Sequence, residues 1–254
     1  PPPGNFTLSR CVTRIMVKTP ERKAWISLLA AFSVFAILVV SIPVGVRWYL
    51  LSATRPEVTQ LEVISGTILV HSPGQPAPSG VTDVTQAVEQ AEAKTDETSW
   101  GTLTFFDQSS AVMYSETELQ ILETRTPRFQ ISSQPDLIEL WVSGGRVRIA
   151  VTPVNGRERQ FEVHTPHAVA KLQEGSYSVE VTNQETEIAV REGQAVVSGS
   201  GGVREIDRGE RTNVAISEPP TSPVAAARDL VLNGNFRDGL NHWSVYNEQG
   251  VDGG

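Results

Sequence analysis

Glu174 and Glu192 are the first residues to weigh for chemistry. Each precedes a glycine and an alternating apolar run in "EGSYSVEVTNQETEIAVREGQAVV". Two carboxylates held together could divide general acid and general base roles between them. Neither has a His, Lys or further carboxylate spaced beside it, so the two Glu-Gly units read as turns that lead the chain into the next strand. His164-Thr165-Pro166-His167 invites a metal ion. On a strand the i and i+3 side chains take opposite faces, Pro166 makes the stretch a turn, and no carboxylate or Cys is spaced to complete a ligand set. Ser109 and Ser110 follow Asp107 but have no His or glycine elbow in sequence reach, which argues against a nucleophile. "GSGG" at Gly199–Gly202 lacks the Lys and following helix of a phosphate loop and reads as a hairpin tip. "VNGRERQ", Val154 to Gln160, is an Asn-Gly turn of mixed charge. The expectation is no catalytic, cofactor-binding or metal-binding residues, no cofactor, and no enzyme. The single Cys, Cys11, excludes an intrachain disulfide and a Cys-based metal site.

The elements around these residues fall into two kinds. Residues 24–46, "AWISLLAAFSVFAILVVSIPVGV", carry no charge. As a helix this run is about 34 Å long, enough to cross the hydrocarbon core of a bilayer. Trp25 stands near one end and Trp48-Tyr49 follow the other, where amphipathic rings prefer the headgroup level. A cleaved secretory signal would have a shorter apolar core and a small-residue site, and "LLSA" at Leu50–Ala53 is a poor one. Cys11 precedes the run and follows Arg10, which is wrong for a lipidation cysteine. Arg10, Arg14, Lys18, Arg22 and Lys23 against Glu21 make the N-terminal flank basic, so the expected orientation is N-terminus in the cytoplasm and bulk of the chain outside, in a bacterial envelope. The whole chain has 21 basic and 29 acidic residues. Without the first 23 residues (5 basic, 1 acidic) it has 16 basic and 28 acidic, a net charge of −12. Such a surface does not attract nucleic acid or anionic lipid.

After Pro56 the pattern becomes alternating. "VTQLEVISGTILVHS", "GTLTFFDQSSAVMYS", "ELQILE", "LIELWVS" and "RVRIAVTP" read as strands, the last two split at Gly144-Gly145. "QFEVHT", "AVAKL", "SYSVEVT", "TEIAV", "QAVVSG", "VREID" and "RTNVAI" follow at short intervals. Short strands separated by turn residues predict an all-β domain, a sandwich or twisted β-solenoid, over residues 57–216. Residues 73–98 form an insert. In it Val84, Val88 and Ala91 at i, i+4, i+7 allow a short surface helix, and a flexible segment is the other reading. Residues 217–229, "SEPPTSPVAAARD", make a Pro/Ser/Ala linker, and 230–254 begin a further module too short to bury a core alone. Met16 is a plausible start, which would make the residues before it an upstream artefact; otherwise residues 1–23 are a short basic cytoplasmic tail.

"TLTFFDQSSAVMYSETELQI" resembles the opening of the FecR-like domain, "GGRVRIAV" and "QFEVHTPHAVAKLQEGSYSVEV" its centre, and "TEIAVREGQAVVSG" and "REIDRGERTNV" its last hairpins. The resemblance spans roughly residues 61–216 and lies in the order of these pieces. It implies an extracytoplasmic β-rich module that passes signals or holds partners without catalysis. In the iron-siderophore regulators of this family the module lies beyond one membrane helix and relays receptor occupancy to a sigma-factor-binding segment. This sequence departs from that plan: at most 23 residues precede the span, and a linker and new module follow the domain. "NGNFRDGLNHW", Asn233 to Trp243, resembles the first strand of galactose-binding-like or carbohydrate-binding jelly rolls, where Phe236 and Trp243 would pack the sandwich. The expected function is non-enzymatic envelope sensing, transmembrane signalling or scaffolding. The expected partners are the bilayer at residues 24–46 and a protein outside it. A surface adhesion protein that takes a glycan through the C-terminal module is the alternative.

Overall fold

The computed structural model describes residues 18–153 and 156–226, so the jelly-roll resemblance at 230–254 and the basic residues before Lys18 lie outside the described residues. Its contacts divide these residues into two units. One comprises the segment up to Ala53 together with Arg128–Ser133; the other holds the rest.

In the first unit, helix α1 runs Lys18–Ser52, so it contains the apolar run 24–46 and continues beyond it on both sides. Its apolar side chains point outward all round; Ile37 is 64% exposed. A helix that is greasy on every face belongs in lipid or deep in a core, and here the protein buries none of its most apolar window. Pro43 sits inside it, which a membrane helix tolerates. The last carbonyls of any helix lack intrahelical donors. Here Ser52 Oγ donates to Trp48 O (2.7 Å), Ser132 Oγ to Leu51 O (2.6 Å) and the Arg128 amide to Ala53 O (2.8 Å). The segment Arg128–Ser133 is thus the helix's C-terminal cap.

The second unit is built of strands. They are β1 (Thr54–Pro56), β2 (Thr59–Ser65), β3 (Ile68–His71), β4 (Ser79–Val81), β5 (Val84–Ala87) and β6 (Glu92–Lys94). Then come β7 (Trp100–Thr104), β8 (Ser110–Met113), β9 (Glu118–Pro127) and the long β10 (Asp136–Val151). The later part holds β11 (Arg159–His164), β12 (Val169–Leu172), β13 (Gly175–Val181), β14 (Glu185–Glu192), β15 (Ala195–Gly199), β16 (Gly202–Ile206), β17 (Glu210–Ala215) and β18 (Val224–Ala225). One sheet has the order β4-β3-β6-β9-β10-β11-β12-β15-β16, with β1 also on β9. The other has the order β5-β2-β7-β8-β10-β13-β14-β17-β18. From β11 onward the hairpins alternate between the two sheets, which gives the wound, sandwich-like character expected of this all-β chain.

β10 belongs to both sheets. Its first half pairs with β9 and β11, its second with β8 and β13. The inward residues change parity along it: Ile138, Leu140 and Val142 are fully buried, then Val147 and Ile149. A strand alternates faces with a period of two, so one residue too many must be absorbed between Val142 and Val147. It is absorbed at Gly144-Gly145, where the ladder with β9 shifts register. Gly145 has φ +87°, and a Cβ there would meet Glu116 O at 2.4 Å and Thr117 Cα at 2.5 Å. The freed backbone groups are not orphaned: Arg146 N donates to Thr117 Oγ1 (3.1 Å) and Thr117 Oγ1 to Arg146 O (3.0 Å). The two strands expected on either side of Gly144-Gly145 are therefore one strand with a bulge. The β10–β11 ladder is parallel while the others are antiparallel. A parallel neighbour needs a crossover, and the second half of β10 supplies it by carrying the chain into the other sheet.

The expected helix near Val84–Ala91 is not formed. β5 and β6 occupy this stretch, Val84 and Val88 are exposed, and Ala87, Ala91 and Ala93 are buried. The i, i+4 spacing of the valines marked no packed face, and ladders to β2, β3 and β9 take up the backbone instead. The segment read as a linker also enters a sheet, through Val224 paired with Arg211.

Gly145→Ala places a Cβ at positive φ against backbone and should destabilise the fold by about 1–2 kcal/mol from conformation alone. Urea denaturation of the purified chain measures this. A midpoint within error of wild type would mean that the parity switch does not need glycine.

Candidate functional site

The outer face of the first sheet carries the one cluster among the described residues in which three metal-type ligands converge: Glu139, Glu162 and His164, whose ligand atoms lie within 4.8 Å of one another. Two ladders assemble it. The parallel register sets Glu139 opposite Glu162 and Trp141 opposite His164, and the β11–β12 register sets Glu162 opposite Lys171. Phe161 and Val163 fill the core, so Glu162 and His164 share the other face. Glu162 is nonetheless buried, with a side chain only 8% exposed. Its Oε1 takes Lys171 Nζ at 2.8 Å and Gln160 Nε2 at 2.6 Å, while Oε2 faces His164 Nε2 at 3.5 Å.

The two carboxylates are pushed in opposite directions. Burial raises Glu162, but the Lys171 ammonium, the Gln160 amide and His164 together hold it below the usual carboxylate value. Glu139 is raised, first by burial and then by the Glu162 charge, with His164 opposing, Glu123 adding a smaller push upward and Lys171 a smaller pull down. Unequal carboxylates of this kind can serve acid–base work when a substrate cavity joins them. Here the Lys171 ammonium already balances Glu162, and the arrangement is a compensated row of charge across three strands. A cation coordinated by this set would require the carboxylates and imidazole to close to about 2.0–2.2 Å from one point.

His167 lies away from the cluster, its Nδ1 3.0 Å from Thr186 Oγ1. The expectation that no carboxylate is placed to join His164 needs correction, because two carboxylates reach it. One comes from i−2 on its own strand and the other through the parallel register. The alternation of outward polar residues marks Glu139 and Glu162 as surface positions, but no sequence spacing shows which strands lie side by side.

Ser109 and Asp107 form a structural tie. Ser109 is fully buried, its amide and hydroxyl held by the Asp107 carboxylate at 2.9 and 2.8 Å. Arg159 on β11 reaches Asp107 in an ion pair that is almost fully buried, and also touches Ser109 Oγ (2.8 Å) and Thr152 Oγ1 (3.1 Å). A cavity of 290 Å³ beside it is lined by Phe106, Asp136, Thr152 and Arg157. The guanidinium thus bolts the β7–β8 turn to the end of β10 and the start of β11.

Glu174 and Glu192 meet through their backbones. A Cβ on Gly175 would stand 2.1 Å from Glu192 O, and one on Gly193 would stand 2.1 Å from Glu174 O. The hydroxyl of the buried Tyr177 sits between, donating toward Gln194 O (2.9 Å) and Gln173 O (3.0 Å) and accepting from the Gln194 amide (3.2 Å). Burial raises its pKa, against the pull of those backbone groups. The two Glu-Gly units are more than turns, since they allow two backbones to touch over a tyrosine.

Two predictions come from these clusters. Folded Glu139 keeps its proton to higher pH than the unfolded chain, whose carboxyl titrates near 4.5, so stability falls as pH rises just above that value. Glu162 behaves oppositely, and its contribution is lost as pH falls below 4.5. At neutral pH Glu139→Gln should raise the melting temperature by roughly 1–3 °C and Glu162→Gln should lower it. Melts between acid and neutral pH test this, and a lowered midpoint for Glu139→Gln would refute the assignment. Arg159→Met leaves the Asp107 carboxylate buried and unpaired and should cost about 3–5 kcal/mol by denaturant titration. A loss near zero would show the tie to be dispensable.

Comparison with known proteins bears on part of the β unit. No curated protein matches the chain. Two crystal structures of a Parabacteroides distasonis protein, provisionally described as an anti-sigma factor, are similar at 19% and 18% identity, each with a TM-score of 0.42. Each alignment covers 54% of this chain and 61% of the neighbour, so the chain spans about three fifths of that protein's length. Residues 91–196 match the family model described as FecR protein. The matched residues run from Ala91 before β6 to Val196 in β15, within a longer two-sheet unit that begins at β1 and ends at β18.

Proposed function

We propose that this chain is a single-pass, N-in membrane protein whose FecR-type β unit lies outside the cytoplasm and acts in signalling through contacts with another protein. The observation that carries the reading is the FecR match at 91–196 in the same chain as a helix apolar enough to cross a bilayer. The basic residues before residue 24 support that orientation. The signalling class comes from the family match. The chemistry of the described clusters agrees with a binding role, because Glu162 on the outer face is compensated by Lys171 and Gln160, and the buried Ser109 is locked by Arg159. Trp141, half-exposed beside that row, offers the kind of aromatic anchor that protein interfaces favour.

Deletion of the gene in its host, followed by RNA sequencing, tests the reading. A discrete regulon should change, and the intact gene should restore it while a version lacking residues 91–196 should not. An unchanged transcriptome together with lost attachment to surface glycans would refute signalling and favour adhesion.

A further inference from the structure

The capping segment Arg128–Ser133 does more than close a helix. Phe129 packs edge-on against Tyr49, with ring centroids 5.7 Å apart, and Arg128 Nη1 approaches Tyr49 Oη at 3.5 Å. Ser132 is buried against the helix end, whereas Ile131, one residue away, is 69% exposed. One exposed isoleucine is ordinary on a protein surface, so its meaning here depends on where the loop stands relative to the bilayer. Arg128, Gln130 and Ser133 around it are exposed and polar. The segment therefore presents one apolar residue, one half-buried aromatic and one guanidinium on the same short turn.

Its depth follows from the helix. Tyr49 is three residues past Val46, where the uncharged run ends, so it stands about 4–5 Å beyond the hydrocarbon edge. The headgroup layer on each side of a bilayer is about 5–8 Å thick. Phe129, seated on Tyr49, falls in that layer, beside Trp48 and Tyr49, whose rings favour it. A guanidinium suits lipid phosphates there, and an aliphatic side chain suits the acyl boundary just beneath.

We infer that Arg128–Ser133 is a second membrane contact: a loop from far along the sequence that inserts Ile131 and Phe129 into the outer headgroup layer while Arg128 meets lipid phosphate. The inference rests on the proposed reading of α1 as an uncleaved span. Its partner is phospholipid. A second copy of the chain is the competing occupant.

Site-directed spin labelling of the full chain in phosphatidylcholine nanodiscs tests it. Cys11 is replaced by Ser, and single cysteines are placed at Ile131 and, separately, at Ile37 in mid-helix. Collision rates with oxygen and with a water-soluble nickel chelate report depth. The oxygen-to-nickel ratio at 131 should lie between that at 37 and that of the label free in buffer. A ratio at 131 equal to free label, with 37 deep in lipid, overturns the loop contact and leaves the anchor standing. A wet label at 37 overturns the anchor itself and the loop contact with it. Exclusion of both reagents at 131 means a second copy covers the loop, which also overturns the lipid assignment. Circular dichroism of the labelled chains checks the fold, and Gln130→Cys reports on the same loop should Ile131→Cys misfold.

Discussion

The β unit depends on one constraint: a single strand must keep its apolar residues inward while passing from one sheet to another. Side-chain alternation makes this impossible for a regular strand, because the interior lies on opposite faces before and after the crossing. The insertion at Gly144-Gly145 solves it, and it does so where the backbone comes closest to Glu116 and Thr117. Ile138, Leu140 and Val142 then face the same buried cluster as Val147 and Ile149. Much of the architecture follows from it. The parallel β10–β11 ladder exists because β10 leaves the first sheet before β11 enters it. The alternating hairpins after β11 extend both sheets outward from the shared strand.

Polar groups inside such a unit must be satisfied, and the molecule does this with few side chains that each serve several partners. Thr117 stands in for a ladder at the bulge, the Tyr177 hydroxyl serves the two Glu-Gly units, and Arg159 serves a turn and two strand ends. These hubs use the residue types that a search for chemistry would select: a hydroxyl, a phenol, a buried ion pair. Their surroundings are made of backbone carbonyls and of one another. The same holds on the outer face, where Glu162 looks reactive by type and is quenched by Lys171 and Gln160.

Period-two alternation was enough to read the all-β class, the uncharged run was enough for the helix, and the order of turn and strand pieces was enough for the FecR resemblance. What could not be read was lateral. "LIELWVSGGRVRIAV" looks like two strands because its glycines look like a turn, and only packing shows that they shift a register. Val84, Val88 and Ala91 mimic a helical stripe because the short strands β5 and β6 and the turn between them carry too few residues for alternation to outvote chance. The Glu139–Glu162–His164 cluster was missed for the same reason. Its members are 23 and 25 positions apart or on one strand, and nothing local encodes the ladder that joins them. The cap at Ser132 was equally hidden, since a loop some eighty residues away supplies what the helix end lacks.

The shared strand also has a temporal side. Synthesis runs from the N-terminus, so β8, β9 and β10 are complete while β11 to β18 are still being made. Until residues 159–164 and 175–181 arrive, one long side of β10 in each sheet shows bare amides and carbonyls next to a row of aliphatic residues. Such an unpaired edge is the kind that recruits other chains. A nascent domain of this design therefore passes through a half-finished stage in which that edge stays open until the last hairpins close over it.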